Sequence, residues 1–308
     1  MKIVFMGTPN FSSVVFEKLN SVYPISTVVT GLDKPVGRGY IIMAAPLKVK
    51  ANELGVPVLQ YEKVSKEGIE DIEALKPDLI ITAALGQILS ERFLQIPKFG
   101  VLNVHASLLP KYRGASPIQW AILNGEKETG ITIMKTVKAV DAGDILLQKS
   151  TEIGKNETAG ELFSRLSTLG GEAIIEAVRL IESGKAVFTK QDDSEATHCS
   201  MISKADGKID FSKSAEELDC FLRGMSPWPS AYTELYGKIL KVHKIESVDN
   251  KTMLPLGEVI TADTKNGITV ACKGGAVRLC EIQLEGSKRM VDTEFLRGRS
   301  IEIGYRFD

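Results

Sequence analysis

The stretch Ile3-Val4-Phe5-Met6-Gly7-Thr8-Pro9-Asn10-Phe11 decides the fold. Four consecutive apolar residues read as a strand buried on both faces, the signature of a parallel sheet. Gly7 to Asn10 is a turn, and Phe11, Val14, Val15 and Leu19 then recur at helical spacing. The same strand–turn–helix phrase repeats outward. Ile25–Thr30 is a second strand, Lys48–Leu54 a helix and Val56–Leu59 a short strand. Ser65–Leu75 is a helix that stops before Pro77. Asp78–Ala83 and Gly100–His105 are core strands, Ile118–Leu123 is helical, and Thr129–Val137 with Ile145–Ser150 form a strand pair. Glu161–Ile181 is the longest helix, with Gly184 as its stop. The expectation is an α/β class, with an N-terminal doubly wound, mostly parallel sheet.

The pattern changes near residue 190. Residues 191–208 are polar and read as a linker. After a helix at Ser214–Arg223, five short strands follow (Ala231–Tyr236, Ile239–Ile245, Gly257–Ala262, Gly267–Cys272, Ala276–Leu284). They predict a small C-terminal β-barrel of OB type. The expected division is therefore 1–190, linker 191–208 and barrel 209–308, in keeping with a chain of 308 residues.

Hydrophobic residues make up 44% and charged residues 25%, ordinary values for a globular protein. No apolar run is long enough for a signal peptide core or a membrane span, so a cytoplasmic location is expected. Cys199, Cys220, Cys272 and Cys280 lack Cys-x-x-Cys spacing and read as free thiols; with three scattered histidines, no metal site is expected. Net charge is −1, and residues 206–308 hold 15 Lys/Arg against 16 Asp/Glu. Neither part is a basic nucleic-acid domain, so any RNA contact must come from a local patch.

Ligands of open α/β sheets bind beyond the carboxyl ends of the strands. Gly7-Thr8-Pro9 lies at such an end but is not a Gly-x-Gly-x-x-Gly fingerprint. Asn103 and His105 share one face of a strand and point an amide and an imidazole into one crevice, a pair able to polarise a carbonyl and move a proton. Val140-Asp141-Ala142-Gly143-Asp144 joins two strands; a carboxylate brought beside His105 would fix its orientation. Taken singly, the histidine and the Asp-Ala-Gly-Asp turn read more readily as an ordinary strand end and a hairpin connection.

Asn103-x-His105-x-Ser107-Leu108-Leu109-Pro110, followed by Asp141-Ala142-Gly143-Asp144, resembles the signature of the folate-dependent formyltransferases. Gly7–Phe11, Asp33–Gly39, Lys111–Trp120 and Ser226-Pro227-Trp228-Pro229 extend the resemblance over nearly the whole chain, toward the members that act on methionyl-tRNA. The resemblance implies the two-domain fold read above. It implies formyl transfer from 10-formyltetrahydrofolate, used as co-substrate without a metal, to methionine on initiator tRNA, by a protein expected to be a monomer. It implies Asn103, His105 and Asp141 as the catalytic trio, and Ser107, Leu108, Leu109, Pro110, Leu85, Gly86 and Gln87 around the folate. For the tRNA it implies Lys34, Arg38 and Lys48 of the long 31–49 loop, with Gly7, Thr8 and Pro9. Such loops are usually functional or disordered. Leu85 and Ser90 stand where an aromatic and a proline are expected, and Ile41-Ile42 stand where relatives often carry basic residues. The rival expectations are a formyltransferase of the same fold acting on an amino-sugar nucleotide or ribonucleotide amine, a hydrolase releasing formate to water, and a non-catalytic RNA-binding protein resting on the barrel.

Overall fold

The computed structural model describes residues 1–36, 40–249 and 254–307. In chain order the elements are β1 (Ile3–Gly7), α1 (Asn10–Asn20), β2 (Ile25–Thr30), β3 (Lys34–Val36), β4 (Ile41–Met43), α2 (Pro46–Glu53), β5 (Val58–Gln60), α3 (Val64–Glu67), α4 (Ile69–Leu75) and β6 (Leu79–Ala83). Then come α5 (Glu91–Leu94), β7 (Val101–His105), β8 (Arg113–Gly114), α6 (Pro117–Leu123), β9 (Glu128–Lys135), β10 (Ile145–Glu152), α7 (Ala159–Glu182) and β11 (His198–Cys199). The remainder is α8 (Ala215–Gly224), β12 (Tyr232–Leu235), β13 (Lys238–Val248), β14 (Val259–Asp263), β15 (Gly267–Cys272), β16 (Gly275–Leu284), β17 (Met290–Val291) and α9 (Asp292–Gly298). These elements fall into two compact units: Met1–Pro117 with Glu128–Glu152 and Leu162–Ser200, and Ile118–Lys127 with Ile153–Glu161 and Met201–Asp308.

The first unit holds a seven-stranded sheet in the order β10-β9-β7-β6-β1-β2-β5. The five strands from β5 to β7 are parallel; β9 runs antiparallel to β7, and β10 antiparallel to β9. The chain winds outward one way from β1 to β5 and the other way from β6 to β10, so the switch point lies between β1 and β6. Side chains of a strand alternate between faces, and β1 uses both. Val4 and Met6 join a core with Ile72 of α4 and Phe93 of α5, while Phe5 lies 5.6 Å from the Phe16 ring of α1. Helix α7 packs close through Gly170, where an added Cβ would come within 3.1–3.3 Å of Val104 and Val15.

The helix expected over Ser65–Leu75 is two helices broken at Gly68, where the Tyr61 ring occupies the space a side chain would need. Ser90, the departure from the family pattern, caps α5: its hydroxyl accepts from the Phe93 amide. The polar stretch read as a linker is built into the fold up to Ser200. His198 and Cys199 run parallel to Arg113 and Gly114, and Gln191 is buried.

The second unit is an antiparallel, barrel-like sheet in the order β12-β13-β16-β15-β14, with β17 alongside β16. All five strands expected from the sequence are present. Helix α8 begins with a capping box between Ser214 and Glu217. It buries Leu218 and Leu222 in a core with Leu240, Val242, Val270 and Ile282.

Candidate active site

The parallel strands all end at one edge, where β1, β6 and β7 deliver Gly7, Ala83 and His105. Gly7 is required there: a Cβ would lie 2.5 Å from both the Ala83 carbonyl and Ser12. The Ser12 hydroxyl donates to that carbonyl at 2.7 Å and accepts from the Thr8 amide at 3.1 Å, which ties the β1–α1 turn to β6.

Asn103 pairs with Thr82 on β6. The Thr82 hydroxyl donates to Asn103 Oδ1 at 2.9 Å, so the amide oxygen is occupied and Nδ2 faces the opposite way, 3.5 Å from Asp141 Oδ1. The His105 ring is nearly buried. Its Nε2 lies 3.0 Å from the Tyr112 carbonyl. A carbonyl can only accept, so Nε2 carries the proton and Nδ1 is the atom free to gain or lose one. Nδ1 lies 3.5 Å from Asp141 Oδ2. That same oxygen accepts from the Gly114 amide at 2.9 Å.

Asp141 is thus held firmly by backbone and reaches the two β7 side chains loosely. Catalytic hydrogen bonds commonly tighten only around substrate. Its loop is sharply folded: Asp141 sits at φ 51°, and a Cβ on Gly143 would lie 1.7 Å from the Lys135 carbonyl. The Cys199 thiol lies 3.5 Å from the same Tyr112 carbonyl. Burial pushes this thiol up, against the opposing pull of the Ser116 backbone, so it stays protonated at neutral pH and is no nucleophile.

The other expected site residues divide. Leu85, Leu108 and Pro110 are half-buried along the edge, and Gly86 is exposed. Ser107 and Leu109 turn inward: Ser107 is fully buried with its hydroxyl on the Lys111 carbonyl at 2.6 Å, and Leu109 is buried. Their side chains shape the loop. Gln87 is likewise engaged, accepting from the Val64 amide at 2.9 Å and donating to the Tyr61 carbonyl at 3.5 Å.

Thr8 and Pro9 are half-buried at the end of β1. Lys34 is exposed on the β3–β4 pair, opposite Met43, and Tyr40, Ile42 and Met43 are exposed as well. Lys48 is not available as a free cation, because it bridges Asp33 (2.7 Å) and Gln60 (2.6 Å). The hydrogen bond from Lys48, and a second from Gln60 Nε2 to Asp33 Oδ1 at 2.8 Å, hold the Asp33 carboxyl below the usual carboxylate range. Arg38 lies outside the described residues.

Sequence reading missed Thr82, the Tyr112 carbonyl, the Gly114 amide and Gln191. Tyr112 and Gly114 carried a signal, as members of the Lys111–Trp120 motif; Thr82 and Gln191 carried none.

A family model described as formyl transferase matches residues 1–178, and one described as formyl transferase, C-terminal domain, matches residues 201–300. The methionyl-tRNA formyltransferase of Clostridioides difficile is 44% identical over 306 residues, 99% of each chain. That of Lachnospira eligens is 42% identical over 311 residues, covering 99% of this chain and 98% of its own. Among solved structures, an N-formyltransferase from Helicobacter canadensis, in complex with folinic acid and dTDP-3-aminofucose, superposes with a TM-score of 0.66 at 18% identity, over 94% of this chain and all of that one. HypX from Aquifex aeolicus in complex with tetrahydrofolic acid gives 0.62 at 18% identity, over 96% of this chain and 47% of that one. With both of its domains matched and near-full-length identity to curated members, the chain belongs to the formyl transferase family.

Proposed function

We propose that this chain transfers the formyl group of 10-formyltetrahydrofolate to the α-amino group of methionine on initiator tRNA, for translation initiation. The observation that carries the chemistry is the Asp141 carboxylate standing 3.5 Å from both Asn103 Nδ2 and His105 Nδ1 at the sheet edge. Full-length identity to methionyl-tRNA formyltransferases, well above that to the sugar-modifying structures, supports the substrate.

The donor suits the edge beside the trio. Leu85 packs on the cluster of Leu89 and Phe93, Leu108 and Pro110 are partly open, and a Cβ on Gly86 would meet nothing within 4 Å. An apolar, open margin of this kind accepts the flat face of a pterin.

The amine attacks as the neutral base, and the formyl carbon becomes tetrahedral with negative charge gathering on its oxygen. Asn103 Nδ2 and a proton on His105 Nδ1 are the donors for that oxygen. Asp141 stabilises the imidazolium and takes part in carrying the proton from the attacking nitrogen to N10 of the folate. The C–N10 bond then breaks, leaving the formylated amine and tetrahydrofolate. The Tyr112 carbonyl keeps Nε2 protonated throughout, so proton traffic is confined to Nδ1.

We place the reaction in the first unit, with residues 209–308 as an auxiliary surface toward the tRNA, and expect a monomer working in the cytoplasm. Among the described residues no helix is long and apolar enough to cross a membrane, and the four cysteines are free, as suits a reducing compartment. The test incubates purified protein with 10-formyltetrahydrofolate and methionyl-tRNA, and in parallel with an amino-sugar nucleotide. Formyl-methionine recovered after deacylation, with the sugar unmodified, is expected. Formylation of the sugar alone, or formate released without any amine, would overturn the assignment.

A further inference from the structure

We propose that Gln191 is the positioning residue of this active site, holding the Asp141 carboxylate against His105 by clamping the backbone of its loop. The proposal rests on the formyl-transfer reading above and deepens it.

Gln191 comes from a part of the chain far from the trio. The Thr189 amide and carbonyl exchange two 2.8 Å hydrogen bonds with Ile145. This pairing lays the following residues along the 141–144 loop. Gln191 is buried there, and its side-chain amide is fully used. Nε2 donates to the Asp141 carbonyl at 2.8 Å and to the Gly143 carbonyl at 2.7 Å. Oε1 accepts from Arg113 Nε at 3.1 Å and Nη2 at 2.8 Å.

Arg113 is itself buried, and its guanidinium is steadied by Asp193 at 2.7 Å. A guanidinium has donors only, so it dictates which end of the Gln191 amide faces it. The NH2 end is thereby aimed at the two loop carbonyls. The residue next to Arg113, Gly114, supplies the amide that holds Asp141 Oδ2. One short strand therefore grips Asp141 twice, by its side chain directly and by its backbone through Gln191.

The grip has work to do. Asp141 is a non-glycine residue at φ 51°, a conformation that persists only when its surroundings over-determine it. With both carbonyls released, the loop can relax and the carboxylate swing away from Nδ1. A displacement near 1 Å at a reacting group can cost about 10²-fold in rate.

Gln191→Glu is the informative variant. It keeps volume and the Arg113 contact but offers the loop carbonyls no donor. The expected result is a kcat lower by about 10²-fold, with KM for the folate near wild type, in a protein that still folds but melts at a lower temperature. Gln191→Met, which removes the donor without adding charge, is expected to lose kcat alike. In an Asp141→Asn background, single-turnover rates should change less than about twofold on adding Gln191→Glu, since the residue acts through Asp141.

A wild-type kcat in Gln191→Glu overturns the proposal, as do losses that multiply in the double variant. Failure of both single variants to fold leaves Gln191 purely structural and overturns it too. Wild-type protein without transfer activity would instead sink the proposed function, a different result in the same assay.

Discussion

At the scale of single residues, His105 divides two duties between two nitrogens. Nε2 is a fixed donor to Tyr112, and Nδ1 faces Asp141. The duties can be separated. His105→Gln places an amide N–H close to where Nε2 stands, so the link to the Tyr112 carbonyl survives, but it leaves no titrating atom toward Asp141. Turnover should fall by roughly 10²–10⁴ while thermal unfolding stays close to wild type. Near-normal turnover in His105→Gln would mean that proton transfer does not pass through this ring. The result also distinguishes a catalytic histidine from one kept for packing, for which glutamine would be tolerated. The duty toward Asp141 entered the sequence reading through the family resemblance, and the hold on the Tyr112 carbonyl did not enter it at all. The Asn103–His105 spacing revealed that both face one side, because alternation is a property of any strand. Which carbonyl holds Nε2 depends on how residues 106–112 fold back.

At the scale of elements, the second unit is fastened by one buried carboxylate. Asp292, in the first turn of α9, is 1% exposed and accepts from Arg278 of β16 at 2.8 and 2.9 Å, from the Ile268 amide of β15 and from the Thr293 amide. Burial pushes its pKa up, but Arg278 and the two amides together outweigh burial and hold it below the ordinary value. A carboxylate with a depressed folded pKa stabilises the fold above its unfolded pKa of about 3.9. That contribution is lost as pH falls through the lower folded value. Asp292→Asn should therefore cost about 3–5 kcal/mol near neutral pH, read by urea denaturation. The gap to wild type should narrow as pH drops below about 4; a gap constant from pH 7 to pH 3 would show that charge is not the cause.

The strands that build both units were legible because continuous or alternating apolar runs leave few other folds. The Gly68 break was not, since a lone glycine inside a helical pattern is usually tolerated. Nor was the docking of residues 191–200, which are polar like any linker. Gln191 is drawn inside by Arg113, 78 positions earlier, and nothing local announces it.

At the scale of the whole molecule, net charge of −1 leaves the protein without a general attraction for RNA. A tRNA substrate must then be engaged through local features, and the β3–β4 pair is an exposed one. It presents Lys34 opposite Met43, with Tyr40 80% and Ile42 72% exposed. Large apolar side chains this open are costly to leave in water unless a partner covers them. Lys48, tied to Asp33 and Gln60, braces the base of the pair instead of offering charge. The interaction expected is stacking or wedging against bases with few phosphate contacts. Two variants separate these parts. Ile42→Ser should raise KM for methionyl-tRNA about tenfold and leave both KM for the folate and the salt dependence unchanged. Lys34→Ala should reduce the slope of log KM against log salt by about 1, with a smaller change in KM at low salt. If Ile42→Ser leaves tRNA kinetics untouched while Lys34→Ala abolishes them, the contact is electrostatic, and the apolar tip has some other use.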